Sequence, residues 1–114
     1  MLGRLTAYRA GEVLVSSVTA AELWYGVERS QHRLQDEKAL RQFLMPLDVV
    51  PFDEEAAAFY GGVRASLERD GTPVGPLDTM IAAHALSLGA VLVTNNMREF
   101  SRVQGLHVED WTQE

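Results

Sequence analysis

The stretch GPLDTMIAAHALSLGAVLV, residues 75–93, places a helix directly before a buried strand. Proline favours the first position of a helix and glycine the position just after its last residue, so Pro76–Leu88 is predicted to be helical and to end at Gly89. Residues 90–93 are apolar and follow at once, as in a strand that is covered on both faces. The stretch therefore predicts an α/β architecture.

The same alternation extends towards both ends of the chain. Residues 13–15 are apolar and mostly β-branched, which predicts a second buried strand. Asp53 is a good helix N-cap, and two glutamates follow it in the first turn. Further elements are predicted at residues 19–29 (helix), 34–45 (helix, ended by Pro46), 47–50 (strand), 94–96 (polar turn), 98–101 (helical turn) and 106–108 (edge strand).

This order of elements predicts a parallel sheet flanked by helices. In such sheets functional sites form beyond the carboxyl ends of the strands, so the segments after Val15 and Val93 are the places to search. The helix that follows Asp53 is expected to turn an apolar stripe inwards, formed by Ala56, Phe59, Tyr60, Val63 and Leu67.

The composition limits the classes of protein to consider. A chain of 114 residues with 46% apolar residues suits one compact domain. It has no cysteine, which excludes a disulfide scaffold and thiol catalysis. No leader and no apolar run long enough for a membrane span stand out, so a cytoplasmic protein is expected. The net charge of −6 argues against a broad RNA-binding surface, but a cation held by acidic residues can still meet a phosphate.

Three acidic residues follow the predicted strands or open a predicted helix: Glu22, Asp78 and Glu99. Clustered carboxylates bind hard cations such as Mg²⁺ or Mn²⁺, and one carboxylate alone does not fix a well-hydrated ion. Thr94 and Asn95 lie beside the predicted cluster and could hydrogen-bond a water or a phosphate. A metal-dependent hydrolase is therefore one interpretation of these residues.

Each of these residues also has a purely structural interpretation. Thr19 and Glu22 match a capping box, in which the glutamate bonds back to the backbone of the threonine. Asp78 favours the helix dipole, Glu99 suits a solvated turn, and the Thr-Asn-Asn run at residues 94–96 is typical of an ordinary turn. Spacing alone does not separate these interpretations.

Other chemically capable side chains give weaker signals. The histidines lack metal-ligand spacing and are expected on the surface or half-buried. The aromatic residues Trp24, Tyr25 and Trp111 are expected to pack in a core or an interface rather than stack on bases. Four arginines could contact phosphate but are more often solvated charges. The histidines are His32, His84 and His107, and the arginines are Arg29, Arg33, Arg98 and Arg102.

Three runs in this order and spacing resemble the PIN-domain toxins of the VapC type. They are VSSVTAAELWYG (residues 15–26), GPLDTMIAAHA (residues 75–85) and LVTNNMREF (residues 92–100). The tail VQGLHVEDW (residues 103–111) is similar to that family's ending, so the resemblance runs from about residue 4 to residue 112. Each motif alone is moderately specific for this family, and the three motifs in this order and at this spacing are strongly specific for it.

The resemblance implies a PIN-like parallel sheet flanked by helices and an endoribonuclease toxin of a type II toxin–antitoxin system. It implies Mg²⁺ or Mn²⁺ bound by acids, with Glu22, Asp78 and Glu99 matching the family's second, third and last acid. Thr94 and Asn95 match polar residues that line its site. The resemblance further implies an RNA substrate, often initiator tRNA, a cognate antitoxin whose basic segment blocks the site, and a homodimer.

The chain departs from the family at its start. The family's first acid sits in an opening strand of the kind Leu-Asp-Thr-Asn, and this sequence has no aspartate before Asp36. Residues 1 to about 10 are similar instead to the end of the helix that follows that strand. Residues 1–114 are thus expected to form one PIN-like domain without its central N-terminal strand, which leaves the strands near Val13 and Val91 without their shared partner.

Three hypotheses follow from this departure. The first is a toxin ribonuclease whose start was cut or mis-assigned. The second is a catalytically impaired protein that only dimerises or binds the antitoxin. The third is a degraded product that does not fold alone.

Overall fold

A computed structural model of the chain describes residues 6–9 and 12–110. Five strands and five helices alternate along this part of the chain. In chain order they are β1 Thr6–Arg9, β2 Glu12–Ser16, α1 Ser17–Glu28, α2 Arg33–Leu44, β3 Asp48–Val50, α3 Glu54–Arg69, α4 Pro76–Leu88, β4 Val91–Val93, α5 Met97–Phe100 and β5 Val108–Glu109. The predicted α/β class is confirmed, and the predicted edge strand begins two residues later than expected.

The five strands form one sheet in the order β3-β2-β1-β4-β5. The pairs β2–β3 and β4–β5 are parallel, whereas β1 is antiparallel to both of its neighbours. Thr6 lies opposite Val15 on one side and Val93 on the other. The sheet is therefore mixed, and the prediction of a fully parallel sheet is wrong for the central strand.

The strand β1 corrects two expectations about the start of the chain. Thr6–Arg9 is extended, so the prediction of a helix end is wrong there, while residues 1–5 and 10 of that prediction lie outside the described residues. Likewise, β2 and β4 do share a partner. The physical reason is backbone pairing: Leu14 and Leu92 are almost fully buried, and unpaired N–H and C=O groups along such strands are costly. An antiparallel segment can pair with both strands, and a helix of only four residues is too short to be stable enough to offset that gain.

The main core lies where α3 and α4 pack together and against the sheet. Ala82 and Ala83 are fully buried and bring α4 close to its neighbours. Larger apolar side chains fill the rest of this core: Val63, Leu67, Ile81, Leu92, Phe100 and Val103. α4 therefore buries one face in this core, and the first turn of the helix stands at one end of that face.

One predicted core residue faces solvent. Phe59 is 39% exposed, so the prediction that it points inwards is wrong. The buried side of α3 follows Ala56, Val63 and Leu67, with Tyr60 partly buried against the same core. At about 100° per residue, Tyr60, Val63 and Leu67 lie within about 40° of Ala56 around the helix axis, whereas Phe59 lies about 60° away at the margin of this face.

The predicted helix ends are confirmed where their chemistry is local. The Asp53 carboxylate accepts a hydrogen bond from Ala56 N–H at 3.0 Å, which caps α3. α4 begins at Pro76 and ends at Gly89, whose φ of 63° lies in the left-handed region that glycine tolerates. Within the described residues, no helix is both long and apolar enough to cross a bilayer.

Candidate active site

The N-terminus of α1 forms directly at the carboxyl end of β2. Ser16 is the N-cap, and its Oγ accepts a hydrogen bond from Val18 N–H at 3.0 Å. Thr19 therefore lies inside the helix and is buried, so the predicted capping box between Thr19 and Glu22 is wrong. The side chain of Glu22 is left exposed on α1, where no cap interaction explains it.

Asp78 lies in the first turn of α4 and is half-buried. Burial raises the pKa of its carboxyl to about 6, helped by a hydrogen bond with the Glu99 carboxyl and by the negative charges of Glu99 and Glu22. Two carboxyls form a hydrogen bond only when one of them holds a proton. The side chain of Asp78 thus lies in a field that disfavours its charged form.

A polar turn between β4 and α5 presents Glu99. Thr94 is buried, and its Oγ1 accepts a hydrogen bond from Asn96 N–H at 3.0 Å. Asn96 caps α5 by accepting from Glu99 N–H at 3.3 Å, and its side-chain amide donates to Glu99 Oε1 at 2.9 Å. Asn95 is exposed. The Thr-Asn-Asn turn is therefore a structural turn that also holds the carboxylate of Glu99 in place.

The three predicted acids influence one another at Asp78. The carboxyl of Glu99 is the nearer influence and the charge of Glu22 the weaker one, and both raise the pKa of Asp78. As they stand, no three Asp, Glu, His or Cys side chains among residues 6–9 and 12–110 are arranged so that they could hold a metal ion. The donors suit a hard cation chemically, but like charges that repel one another do not form a ready-made cage.

A groove of about 590 Å³ opens beside Glu22 between α1 and α4. Its walls are Ser17, Val18, Ala21, Glu22 and Tyr25 from α1, with Leu77 and Met80 from α4. Tyr25 is 64% exposed, so it does not pack in the core, and the alternative expectation of an interface stays a prediction. Trp24 is half-buried beneath the Arg41 guanidinium, which lies 4.9 Å from its ring, and Trp111 lies outside the described residues.

The arginines named from the sequence do not converge on the acids. Arg33 pairs with Glu28 and Glu37 on the surface. Arg102 donates to the Pro73 carbonyl at 3.1 Å, and Arg29 lies over the Tyr25 ring. Arg98 is exposed on α5, next to Glu99 in sequence. Three of these arginines thus make local contacts at the surface, and none of those contacts is to Glu22, Asp78 or Glu99.

The burial of one polar residue, His84, was not predicted from the sequence. His84 was expected at the surface or half-buried, yet it is 1% exposed inside α4. The apolar residues on both sides of it in the sequence were the available signal for burial. His32 and His107 are exposed, as predicted.

Comparison with known proteins identifies the family. The PIN domain matches residues 2–106. A tRNA(fMet)-specific endonuclease VapC from Shigella flexneri is 49% identical over 102 residues, which span 90% of this chain and 77% of the relative. The chain belongs to the PIN-domain family, and its relatives are VapC ribonucleases.

Solved structures of related proteins have the same fold as this chain. DNA-bound VapBC from Salmonella typhimurium gives a TM-score of 0.84 at 48% identity and covers 86% of this chain and 74% of that one. VapBC-1 from nontypeable Haemophilus influenzae gives 0.86 at 36% identity and covers 93% and 79%. The PIN-like sheet flanked by helices is thus confirmed.

Proposed function

We propose that this PIN domain is the toxin of a type II toxin–antitoxin system and acts as a metal-dependent endoribonuclease. The observation that carries the proposal is the match to the PIN domain over residues 2–106, supported by the half-buried carboxyl of Asp78, whose pKa is raised by burial and by the carboxyls of Glu99 and Glu22. It is unfavourable to bring like-charged carboxylates together in a half-buried position, and binding of a divalent cation offsets this cost. Relatives named as ribonucleases support the reaction class.

In this proposal Glu22, Asp78 and Glu99 hold Mg²⁺ or Mn²⁺. When bound, such a cation supplies a Lewis acid and lowers the pKa of a coordinated water. Asn96 keeps one oxygen of Glu99 engaged and so orients the carboxylate towards Asp78. Thr94 shapes the turn behind Glu99, and the exposed amide of Asn95 is the candidate that positions water or a phosphate oxygen.

The proposed substrate is RNA, with initiator tRNA as the first candidate. Two relatives at 48–49% identity are named tRNA(fMet)-specific endonucleases. The net charge of −6 argues for contacts that are local to the acids and their cation rather than spread over a basic face. The proposed place of action is the cytoplasm, where such a substrate is found.

The proposed partners are a cognate antitoxin and a second copy of this chain. The solved relatives are VapBC assemblies, which supports an antitoxin. For the homodimer, the candidate surface is an apolar groove of about 550 Å³ along α3, lined by Phe59, Gly62 and Val103 among others. The molar mass in solution, measured by light scattering, tests the dimer, and a purely monomeric chain contradicts it.

A second candidate is a protein that dimerises or binds the antitoxin without cleaving RNA. It is favoured by β1, which occupies the centre of the sheet and contributes Thr6, Ala7, Tyr8 and Arg9, none of them acidic. That residues 1–114 form a single PIN-like domain without the family's opening strand stays a prediction. Translation of the upstream nucleotides tests it, because a Leu-Asp-Thr-Asn-like segment there would show that the start was mis-assigned.

Cleavage of tRNA by the purified chain with Mg²⁺ or Mn²⁺ separates the two candidates. The wild type should cleave only with the cation, and Asp78→Asn should not cleave. Asp70→Asn, a matched change at an exposed aspartate that ends α3, should behave as the wild type. Equal activity of wild type and Asp78→Asn indicates contamination and rejects the ribonuclease, whereas an inactive wild type that still binds antitoxin supports the second candidate.

A further inference from the structure

His84 makes a buried polar contact between two helices. Its Nδ1 lies 2.7 Å from Ser16 Oγ, and its ring is met edge-on by Phe52 at 5.4 Å between centroids. Ser16 is the N-cap of α1, and the next residue, Ser17, accepts a hydrogen bond from Phe52 N–H at 2.9 Å. The start of α1 is thus tied to the middle of α4.

Burial favours the neutral form of this ring. It lowers the pKa of His84, against the opposing effects of Asp53 and of the Pro51 backbone. A neutral imidazole carries one N–H, so Nδ1 and the Ser16 hydroxyl share a single hydrogen bond whose direction depends on the tautomer. Ser16 Oγ also accepts from Val18 N–H.

This arrangement is costly if its only role is to fill space. Nε2 is buried without a hydrogen bond of ordinary geometry, a state that lowers stability. A leucine of similar size would fill the same volume with no polar group to satisfy. What the imidazole adds is a directional bond that fixes where α1 begins relative to α4.

The same two helices also approach each other near Glu22 and Asp78. Glu22 lies six residues after Ser16, and Asp78 lies six residues before His84. At 1.5 Å per residue each spacing is about 9 Å along its helix. Glu22 and Leu77, the residue before Asp78, line the same groove, and the charge of Glu22 raises the pKa of Asp78. α1 and α4 thus approach each other at two points in opposite order, as in helices that run in opposite directions. The groove beside Glu22 opens between them.

We propose that His84 is a positioning residue: its hydrogen bond with Ser16 sets the separation of α1 and α4 and thereby the separation of Glu22 and Asp78. The inference rests on the proposed function, because the separation matters only if the two carboxylates share a cation. His84 touches neither the cation nor the RNA in this proposal and acts only through the start of α1.

The test compares His84→Leu with His84→Asn in the full 114-residue chain. Leucine removes the hydrogen bond, whereas asparagine retains an acceptor close to the position of Nδ1. His84→Leu should weaken Mn²⁺ binding, measured by paramagnetic resonance without RNA, by about tenfold, the low end for the loss of a supporting partner of a metal site. It should lower kcat for RNA cleavage while KM changes less than about twofold. His84→Asn should recover most of both losses, and His32→Leu, at an exposed histidine, should change neither.

Ser16→Ala removes the same bond from the other side and decides the question if His84→Leu does not fold. Its effect on Mn²⁺ affinity should be at least that of His84→Leu, because it also removes the N-cap of α1. The double variant should be no weaker than Ser16→Ala alone, because the Ser16–His84 bond is already absent there. Unchanged Mn²⁺ affinity in a folded His84→Leu or Ser16→Ala chain overturns the inference while the proposed function stands. A wild type that binds no Mn²⁺ overturns the proposed function and the inference with it.

Discussion

The two places where α1 and α4 meet differ in their chemistry. At the hydrogen-bonded end, formed by Ser16 and His84, a buried neutral ring and a hydroxyl satisfy each other at 2.7 Å. At the carboxylate end, formed by Glu22, Asp78 and Glu99, like-charged groups meet and raise the pKa of Asp78 to about 6. One end stabilises the helix pair as it stands, and the other is stabilised only by a proton or a cation. Substitutions at the two ends should therefore have different effects on activity and on stability.

The largest expected effect is on activity at the carboxylate end. Glu22→Gln and Glu99→Gln should each lower RNA cleavage by roughly 100-fold, since even outer partners of a metal site are worth about 10- to 100-fold. Both side chains are at least partly exposed, so the free energy of unfolding should change by less than about 0.5 kcal/mol. Single-turnover cleavage and urea unfolding measure the two quantities. A variant that keeps full activity would remove its residue from the site.

At the hydrogen-bonded end the large effect should be on stability. Ser16→Ala should lower the free energy of unfolding by about 2 kcal/mol, because it removes an N-cap and leaves Nδ1 of His84 without its hydrogen-bond partner. Asp53→Ala, which also removes a helix N-cap, is the matched comparison and should cost about 1 kcal/mol. Urea denaturation compares them. Equal losses would show that the bond to His84 adds nothing to the cap.

Binding of a cation should stabilise the carboxylate end. Mn²⁺ at ten times its Kd should add about 1.4 kcal/mol, which raises Tm by about 5 °C for a domain of this size. Asp78→Asn should lose most of this shift, and Asp70→Asn should keep it. Thermal unfolding followed by circular dichroism, with and without EDTA, gives the measurement. An equal shift in Asp78→Asn would place the cation elsewhere.

The smallest expected effect is the pH dependence of stability without metal. The pKa of Asp78 is raised from 3.8 unfolded to about 6 folded, so the folded chain binds more protons between these values and loses stability as the pH rises through them. Because the carboxyl is only half-buried, screening reduces the loss to about 1 kcal/mol. Asp78→Asn should lack this component. Urea midpoints of both chains at pH 4 to 7 test the sign, and a wild type that gains stability relative to Asp78→Asn over this range would contradict it.

Prediction from sequence succeeded where the determining chemistry is local. Pro76 and Gly89 bound α4, and Asp53 caps α3, because a fixed φ, a left-handed φ and a short acceptor act within one turn. It failed at Thr19, where Ser16 captured the cap three residues earlier, and at Phe59, where neighbours of suitable spacing took the buried positions.

At the site, what could be predicted from the sequence and what could not depends on how far apart the residues lie along the chain. The order of motifs was enough to name Glu22, Asp78 and Glu99, since each lies near a strand end or a helix start. Their effect on one another, which raises the pKa of Asp78, depends on burial and on residues that lie 21 and 56 positions from Asp78 in the sequence. The burial of His84 and its bond to Ser16, 68 residues away, are of the same kind.

The sequence by itself determined the α/β class and most helix ends, because these follow from local periodicity and capping chemistry. It also named the candidate acids, through motif order and a family resemblance. Only the tertiary structure decided that Thr6–Arg9 fills the centre of the sheet as an antiparallel strand. The reason is that two buried strands required partners for their backbone groups, and pairing across a sheet is not encoded in four residues. The same tertiary packing decided that a buried histidine and three acids stand at opposite ends of one helix pair.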